Sequence, residues 1–92
     1  MEVKHEQFES KGAFVAQSEG KKAGEMTYSK AGDTLIIIDH TEVDPSFGGQ
    51  GVGKKMVLAA VDYARENKIK VLPLCPFAKA AFDKDASIQD VL

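Results

Sequence analysis

The first half of the chain alternates on a two-residue period, and its second half switches to a helical one. Gly12–Gln17 and Gly24–Ser29 are short runs of apolar and aromatic residues bounded by Gly and Lys, the pattern of β-strands. In the second run Met26 and Tyr28 fall on one face, and Glu25, Thr27 and Ser29 on the other, as in a half-buried strand. Glu19–Lys22 and Ala31–Asp33 carry glycines where hairpin turns belong. A short opening strand is expected around Val3–Phe8. Thr34–Val43 is the strongest strand in the chain. Its four successive aliphatic residues, Leu35–Ile38, predict burial on both faces and a central place in the sheet.

The period changes after Asp44-Pro45-Ser46-Phe47. On a helical wheel of about 100° per residue, Lys54, Lys55, Asp62, Arg65 and Glu66 gather on one arc of Gly51–Asn67. Val52, Met56, Val57, Ala59, Ala60, Val61, Tyr63 and Ala64 cover the rest, with Leu58 alone intruding on the polar arc. Such a broad apolar face belongs to a helix lying on a sheet. Ile69–Leu74 then reads as a strand whose pairing Pro73 limits. Pro76 suits the first position of a helix over roughly Phe77–Lys84; the tail from Asp85 has no assigned element. The order is α+β: a mostly antiparallel sheet, one parallel strand–helix–strand crossover and a short C-terminal helix.

Ninety-two residues make a single domain over 1–92, without room for a second core. The apolar runs Leu35–Ile38 and Val57–Val61 are too short to span a bilayer, and the N-terminus lacks a secretory pattern. One cysteine and a net charge of −2 fit a soluble cytoplasmic protein that engages neither nucleic acid nor membrane. A monomer or weak homodimer is expected.

The candidate chemistry lies between the strongest strand and the longest helix, where four glycines, Gly48, Gly49, Gly51 and Gly53, fall within six residues. Glycine lets backbone approach a ligand closely, and a helix N-terminus offers unpaired amides and a positive dipole end. The loop is therefore a site for a phosphate or another anion. Gly48–Lys54 matches the first seven positions of a P-loop, but Lys55 stands where the magnesium-binding Ser or Thr belongs. A dinucleotide fingerprint fails on glycine spacing and on the missing βα repeats. A glycine turn that merely caps the helix is the third reading.

The run from Glu42 to Met56, EVDPSFGGQGVGKKM, resembles the coenzyme-A motif of the GNAT (general-control-related) N-acetyltransferases. In that family a strand ending in valine leads through an acidic-Pro loop to [Q/R]-x-x-G-x-[G/A], which opens a helix. Gly51 and Gly53 fill the glycine positions, while Gly48 replaces the usual Gln or Arg. The resemblance implies that acetyl-CoA is the cosubstrate. Its pyrophosphate would lie on Gly48, Gly49, Gln50, Gly51, Val52 and Gly53, with Lys54 reaching a phosphate. The pantetheine arm would lie along Thr41, Glu42 and Val43, opposite Val71–Leu74. The Val43 amide would then face the thioester carbonyl as an oxyanion donor.

The family's second motif, N-x-x-A-x-x-x-Y, matches Cys75–Phe82 in spacing, with Ala78 in place, Cys75 at the Asn position and Phe82 at the Tyr position. Phenylalanine has no proton for a departing thiolate. Cys75 at a helix N-terminus gains thiolate character from the dipole; a buried, inert cysteine is the plain alternative. Strict alternation puts His40 with Ile36, Ile38 and Glu42, and Asp39 with Thr41 on the other face. His40, and less so Glu42, are candidate bases for an amine or for activating Cys75. His5 has no assigned role. The expected activity is acetyl transfer to an unidentified small-molecule or protein acceptor, an amine, with Cys75 as a possible relay. The alternative is a coenzyme-A-binding or interaction module without turnover. The acceptor is not legible, because the chain has almost nothing where the family builds that site.

Overall fold

The computed structural model describes every residue from Met1 to Leu92. Five strands form one sheet in sequence order: β1 (Glu2–Phe8), β2 (Lys11–Ser18), β3 (Lys21–Lys30), β4 (Leu35–Val43) and β5 (Lys70–Pro73). The first four are antiparallel neighbours and β4–β5 is the single parallel pair. The opening strand forms fully, from Val3 paired with Ala16 to Phe8 paired with Lys11. Glu19 and Gly20 make the β2–β3 turn, both at positive φ (51° and 80°). Two such residues in succession give the turn whose twist matches the strands it joins.

Helix α1 (Val52–Asn67) crosses from β4 to β5, and α2 (Pro76–Lys84) follows β5. Their buried side chains join those of the sheet in one cluster: Val52, Met56, Val57, Ala60, Val61 and Ala64 from α1 meet Phe14, Met26, Tyr28, Ile36 and Ile38. Leu58, the residue that broke the polar arc of the wheel, is 37% exposed and lines a groove between α1 and α2. The tail is structured. Asp85 caps a 3-10 helix (Ala86–Val91) by accepting from the Ser87 amide at 3.0 Å. Ile88 and Val91 enter the core, and Arg65 of α1 grips Asp90 through two nitrogens at 2.7 and 3.1 Å.

The expectation that β4 is buried on both faces does not hold. Ile36 and Ile38 are buried under the helices, but Leu35 and Ile37 are only half-buried on the opposite face. β4 is interior within the sheet, between β3 and β5, yet the helices cover one face only. The aliphatic run therefore reports lateral position and not a second covering layer.

His5, given no role by its polar surroundings in sequence, ties β1 to the core. Its ring stacks on Phe14 at 4.3 Å and 11° and meets Tyr63 of α1 edge-on at 4.4 Å. The Tyr28 phenol, whose pKa burial and the neighbouring Tyr63 push up to about 12, is hydrogen-bonded to His5 Nε2. The neutral imidazole is the form this cluster accepts, and burial, with Lys30 nearby, lowers the His5 pKa from 6.5. The unfolded chain binds this proton more readily than the folded one, so His5 contributes stability above about pH 6.5 that is lost as pH falls through the folded value. The urea midpoint should therefore drop between pH 7.5 and pH 5. The drop should be smaller in His5→Gln, and an equal drop in both proteins would refute the assignment.

Candidate functional site

Beyond β4 the chain enters a 3-10 turn, Pro45–Phe47, capped by the Asp44 carboxylate. That carboxylate accepts from the Ser46 amide and hydroxyl, both at 2.8 Å, and these bonds hold its pKa below the usual value. The Gly48 amide bonds back to Pro45 at 3.1 Å and the Gln50 amide to Phe47 at 3.4 Å. Gly51, at φ 71° and ψ 27°, then turns the chain into α1. A side chain there would be strained although the space around it is open. No side chain caps α1 and no acidic residue lies in its first turn. The first amide to bond back is that of Lys55, to Gly51 at 3.0 Å. The amides of Val52, Gly53 and Lys54 are left without a partner at the positive end of a sixteen-residue helix.

Gly53 has a different task from Gly51. It is buried, and a Cβ there would stand 2.1 Å from Cζ of Phe77. Its missing side chain makes room for the Phe77 ring, which ties the start of α2 against the start of α1. Sequence reasoning assigned this glycine to ligand approach and did not single out Phe77. Only the contact between the two helices reveals it.

The second part of the site is a gap between strands. The parallel ladder runs from Leu35 paired with Lys70 to Ile38 paired with Pro73. There it stops: the amides of Leu74 and Cys75 share the Ile38 carbonyl at 3.0 and 3.1 Å, and Pro76 starts α2. β4 continues to Val43 without a neighbour on that side. The Asp44 amide bonds to Ala23 of β3 at 2.8 Å, so by alternation the amides of Thr41 and Val43 point away from β3, into the gap.

A β-bulge sets what faces the gap. The β3–β4 register jumps from Tyr28 paired with Ile38 to Thr27 paired with His40, leaving Asp39 as the extra residue. Asp39 accepts from the hydroxyls of Thr27 (2.5 Å) and Ser29 (3.2 Å) on the open face. The bulge reverses the predicted alternation. Thr41 and Val43 lie on the helix face with Ile36 and Ile38, paired with Met26 and Gly24, whereas His40 and Glu42 lie on the open face with Thr27 and Glu25. His40 and Glu42 are 67% and 75% exposed and 4.0 Å apart, too solvated to form more than a weak pair. His40 is thus separated from Cys75 by the sheet and cannot activate it directly. No periodicity argument finds a one-residue bulge in an otherwise regular strand.

Cys75 lies at the N-terminus of α2, 6% exposed. Burial pushes its thiol up. The Thr41 hydroxyl, the amides of Ala78 and Phe77 and the Thr41 amide together outweigh burial and hold its pKa below the ordinary value. The thiol makes no capping bond to α2, and the Thr41 hydroxyl is the one buried side-chain polar atom without a hydrogen-bond partner. Phe82, at the position of the motif's tyrosine, is fully buried and belongs to the core. Lys54 is exposed beside the groove of about 400 Å³ between α1 and α2, whose lining includes Leu58, Phe77, Ala81 and Lys84. No group of His, Cys, Asp and Glu side chains is arranged to hold a metal ion, and no helix is long and apolar enough to cross a membrane.

A family model described as GCN5-related N-acetyl-transferase matches residues 13–91. The chain is 43% identical to a GCN5-like candidate N-acetyltransferase from Staphylococcus aureus whose solution structure is known. That match covers 98% of this chain and 85% of the other, with a TM-score of 0.72. The fold also matches a ribosomal-protein-alanine N-acetyltransferase from Brucella melitensis (TM-score 0.69, 18% identity, 82% of this chain and 60% of that one). A third match is a candidate streptothricin acetyltransferase from Bacillus anthracis, solved with acetyl coenzyme A (TM-score 0.60, 19% identity, 72% and 39%). The chain thus spans less than two-thirds of the length of the latter two. No curated protein sequence matches it. A glycine loop opening the crossover helix, a strand that outruns its parallel neighbour and a family match over nearly the whole sheet and both helices lead to one assignment: the chain belongs to the GCN5-related N-acetyl-transferase family.

Proposed function

We propose that the protein binds acetyl-CoA and transfers its acetyl group to an amine through Cys75. The observation that carries this reading is the position of Cys75, at the N-terminus of α2 and bonded through its amide to the Ile38 carbonyl where the gap between β4 and β5 opens. The unpartnered amides of Val52, Gly53 and Lys54, with the Gly48–Gly51 turn before them, would hold the pyrophosphate. The groove beyond Lys54 offers the adenosine an apolar floor with Lys84 at its edge. Pantetheine would enter the gap as an added strand along Thr41 and Val43, which brings the thioester to Cys75.

In this reading the Cys75 thiolate attacks the acetyl carbon, a new S–C bond forms, and the bond to the coenzyme sulfur breaks. Both attacking and leaving groups are thiolates, so the exchange needs no strong acid and the loss of the motif's tyrosine to Phe82 is tolerated. An amine then attacks the acetyl-cysteine and releases the Cys75 thiolate. The amine gives up its proton to solvent, because His40 and Glu42 lie on the open face, across the sheet from Cys75. A second reading, a coenzyme-A-binding module without turnover, is favoured by the burial of Phe82 in the core.

Acetyl-CoA should raise the melting temperature of the protein by mass action. Gly51→Val, folded by circular dichroism, should lose that shift, and a normal shift would sink the loop assignment. Lys54→Ala should weaken binding by only about 1–2 kcal/mol, as for one charge-assisted contact.

Incubation with acetyl-CoA should add one acetyl group at Cys75, seen by intact mass and peptide mapping. Cys75→Ala should abolish the label with little loss of binding. A protein that binds acetyl-CoA, stays unlabelled and releases no free thiol with amine acceptors is the module of the second reading.

A further inference from the structure

We propose that Phe77 is the specificity-determining residue for the nucleotide end of the coenzyme, its exposed ring stacking the nucleobase in the groove between α1 and α2. Phe77, Ala80, Ala81 and Lys84 line that groove from α2, and their spacing puts all four on one face of the helix. Lys54 and Leu58, likewise one turn apart, face them from α1. The two alanines keep the middle of the groove open, with the Phe77 ring at one end and Lys84 at the other. By the helical rise, about 10 Å of axis separates Phe77 from Lys84, a length that a nucleoside spans.

Phe77 is the one aromatic residue that lines the groove. Phe14, Tyr28 and Phe82 are fully buried in the core, whereas Phe77 stays 44% exposed. Its position is fixed from behind. The end of the ring that carries Cζ occupies the space left by the missing Gly53 side chain, and the Gly53 amide is one of the three left open at the start of α1. The ring therefore borders the anion site. A ligand that joins an anionic group to a flat apolar ring matches these two surfaces in order, and a nucleobase has the π-face that stacks on an aromatic side chain. Charge agrees with that occupant. Lys54 and Lys84 form no ion pair, whereas Lys79 is held by Asp83 and Arg65 by Asp90. Two free cations against the single carboxylate of Asp85 leave the groove positive, which favours the phosphates of a nucleotide.

This proposal rests on the reading that the coenzyme lies across the start of α1, and its test separates the two. Binding of three ligands is measured by calorimetry: acetyl-CoA, acetyl-phosphopantetheine, which lacks the nucleotide, and the coenzyme's adenosine bisphosphate, which lacks the arm. Phe77→Leu keeps an apolar side chain over Gly53 but removes the flat face. It should weaken acetyl-CoA and the adenosine bisphosphate about tenfold, the scale of one base–aromatic stack, and leave acetyl-phosphopantetheine unchanged. With the wild type, the adenine proton resonances of the bisphosphate should move upfield on binding, and that shift should be lost in Phe77→Leu. An equal loss of acetyl-CoA and acetyl-phosphopantetheine in Phe77→Leu would overturn the proposal, because the ring would then only seat α2 against α1. Unchanged binding of all three ligands would overturn it too, as would a wild type that does not bind the bisphosphate. If the bisphosphate binds and stacks while acetyl-phosphopantetheine does not bind, the acyl-transfer reading fails and the nucleobase site stands. Should Phe77→Leu not fold, the adenine resonances with the wild type decide: an upfield shift supports the stack and its absence refutes it.

Discussion

Beyond Ile38, β4 has a neighbour on one side only, and the site depends on that. The cause is local. Pro73 stands in the last rung of the ladder, the amides of Leu74 and Cys75 turn together onto the Ile38 carbonyl, and Pro76 begins a helix. A parallel strand that continued would have covered the amides of Thr41 and Val43. Because it stops, the fold keeps backbone donors open at the sheet's interior, where they are held rigidly by β3 on the other side. Such a gap suits an extended ligand that completes the ladder.

The bulge at Asp39 decides which side chains of β4 lie on each face beside this opening. One inserted residue sends Thr41 towards the helices and Cys75, and sends His40 and Glu42 to the open face. Asp39, held by Thr27 and Ser29, keeps the inserted residue in place with polar bonds suited to its exposed position. The helix-face residues Thr41 and Val43 and the open-face residues His40 and Glu42 therefore stand on opposite sides of one strand. The loss of the motif's tyrosine to Phe82 is consistent with this division: a ring buried in the core strengthens the seat of α2, and α2 in turn fixes Cys75.

A domain this small has little apolar area to spend on precision, and it rests on a few contacts. Phe77 fills the space left by Gly53 and joins the two helices where their N-termini serve the site. The His5 cluster anchors β1, and the terminal 3-10 helix closes the far end of the core with Ile88 and Val91. The open face of the sheet has no such cover.

The element order, the strand faces of β3, the helix over Val52–Asn67 and the glycine loop were all legible in the sequence, because each follows from local periodicity or from glycine's backbone freedom. The missing tyrosine was legible for the same reason: a motif fixes spacing, and Phe82 stands at the place. Four things were decided by tertiary structure. The single helical layer left Leu35 and Ile37 half-covered, although their run read as buried on both faces. The bulge at Asp39 exchanged the faces of His40 and Thr41, since register is a property of the pairing between two strands. Gly53 serves Phe77, a contact between segments distant in sequence. His5 proved structural because its ring partners come from β2, β3 and α1. Periodicity records which way a side chain points from its own backbone, and only packing determines what stands opposite.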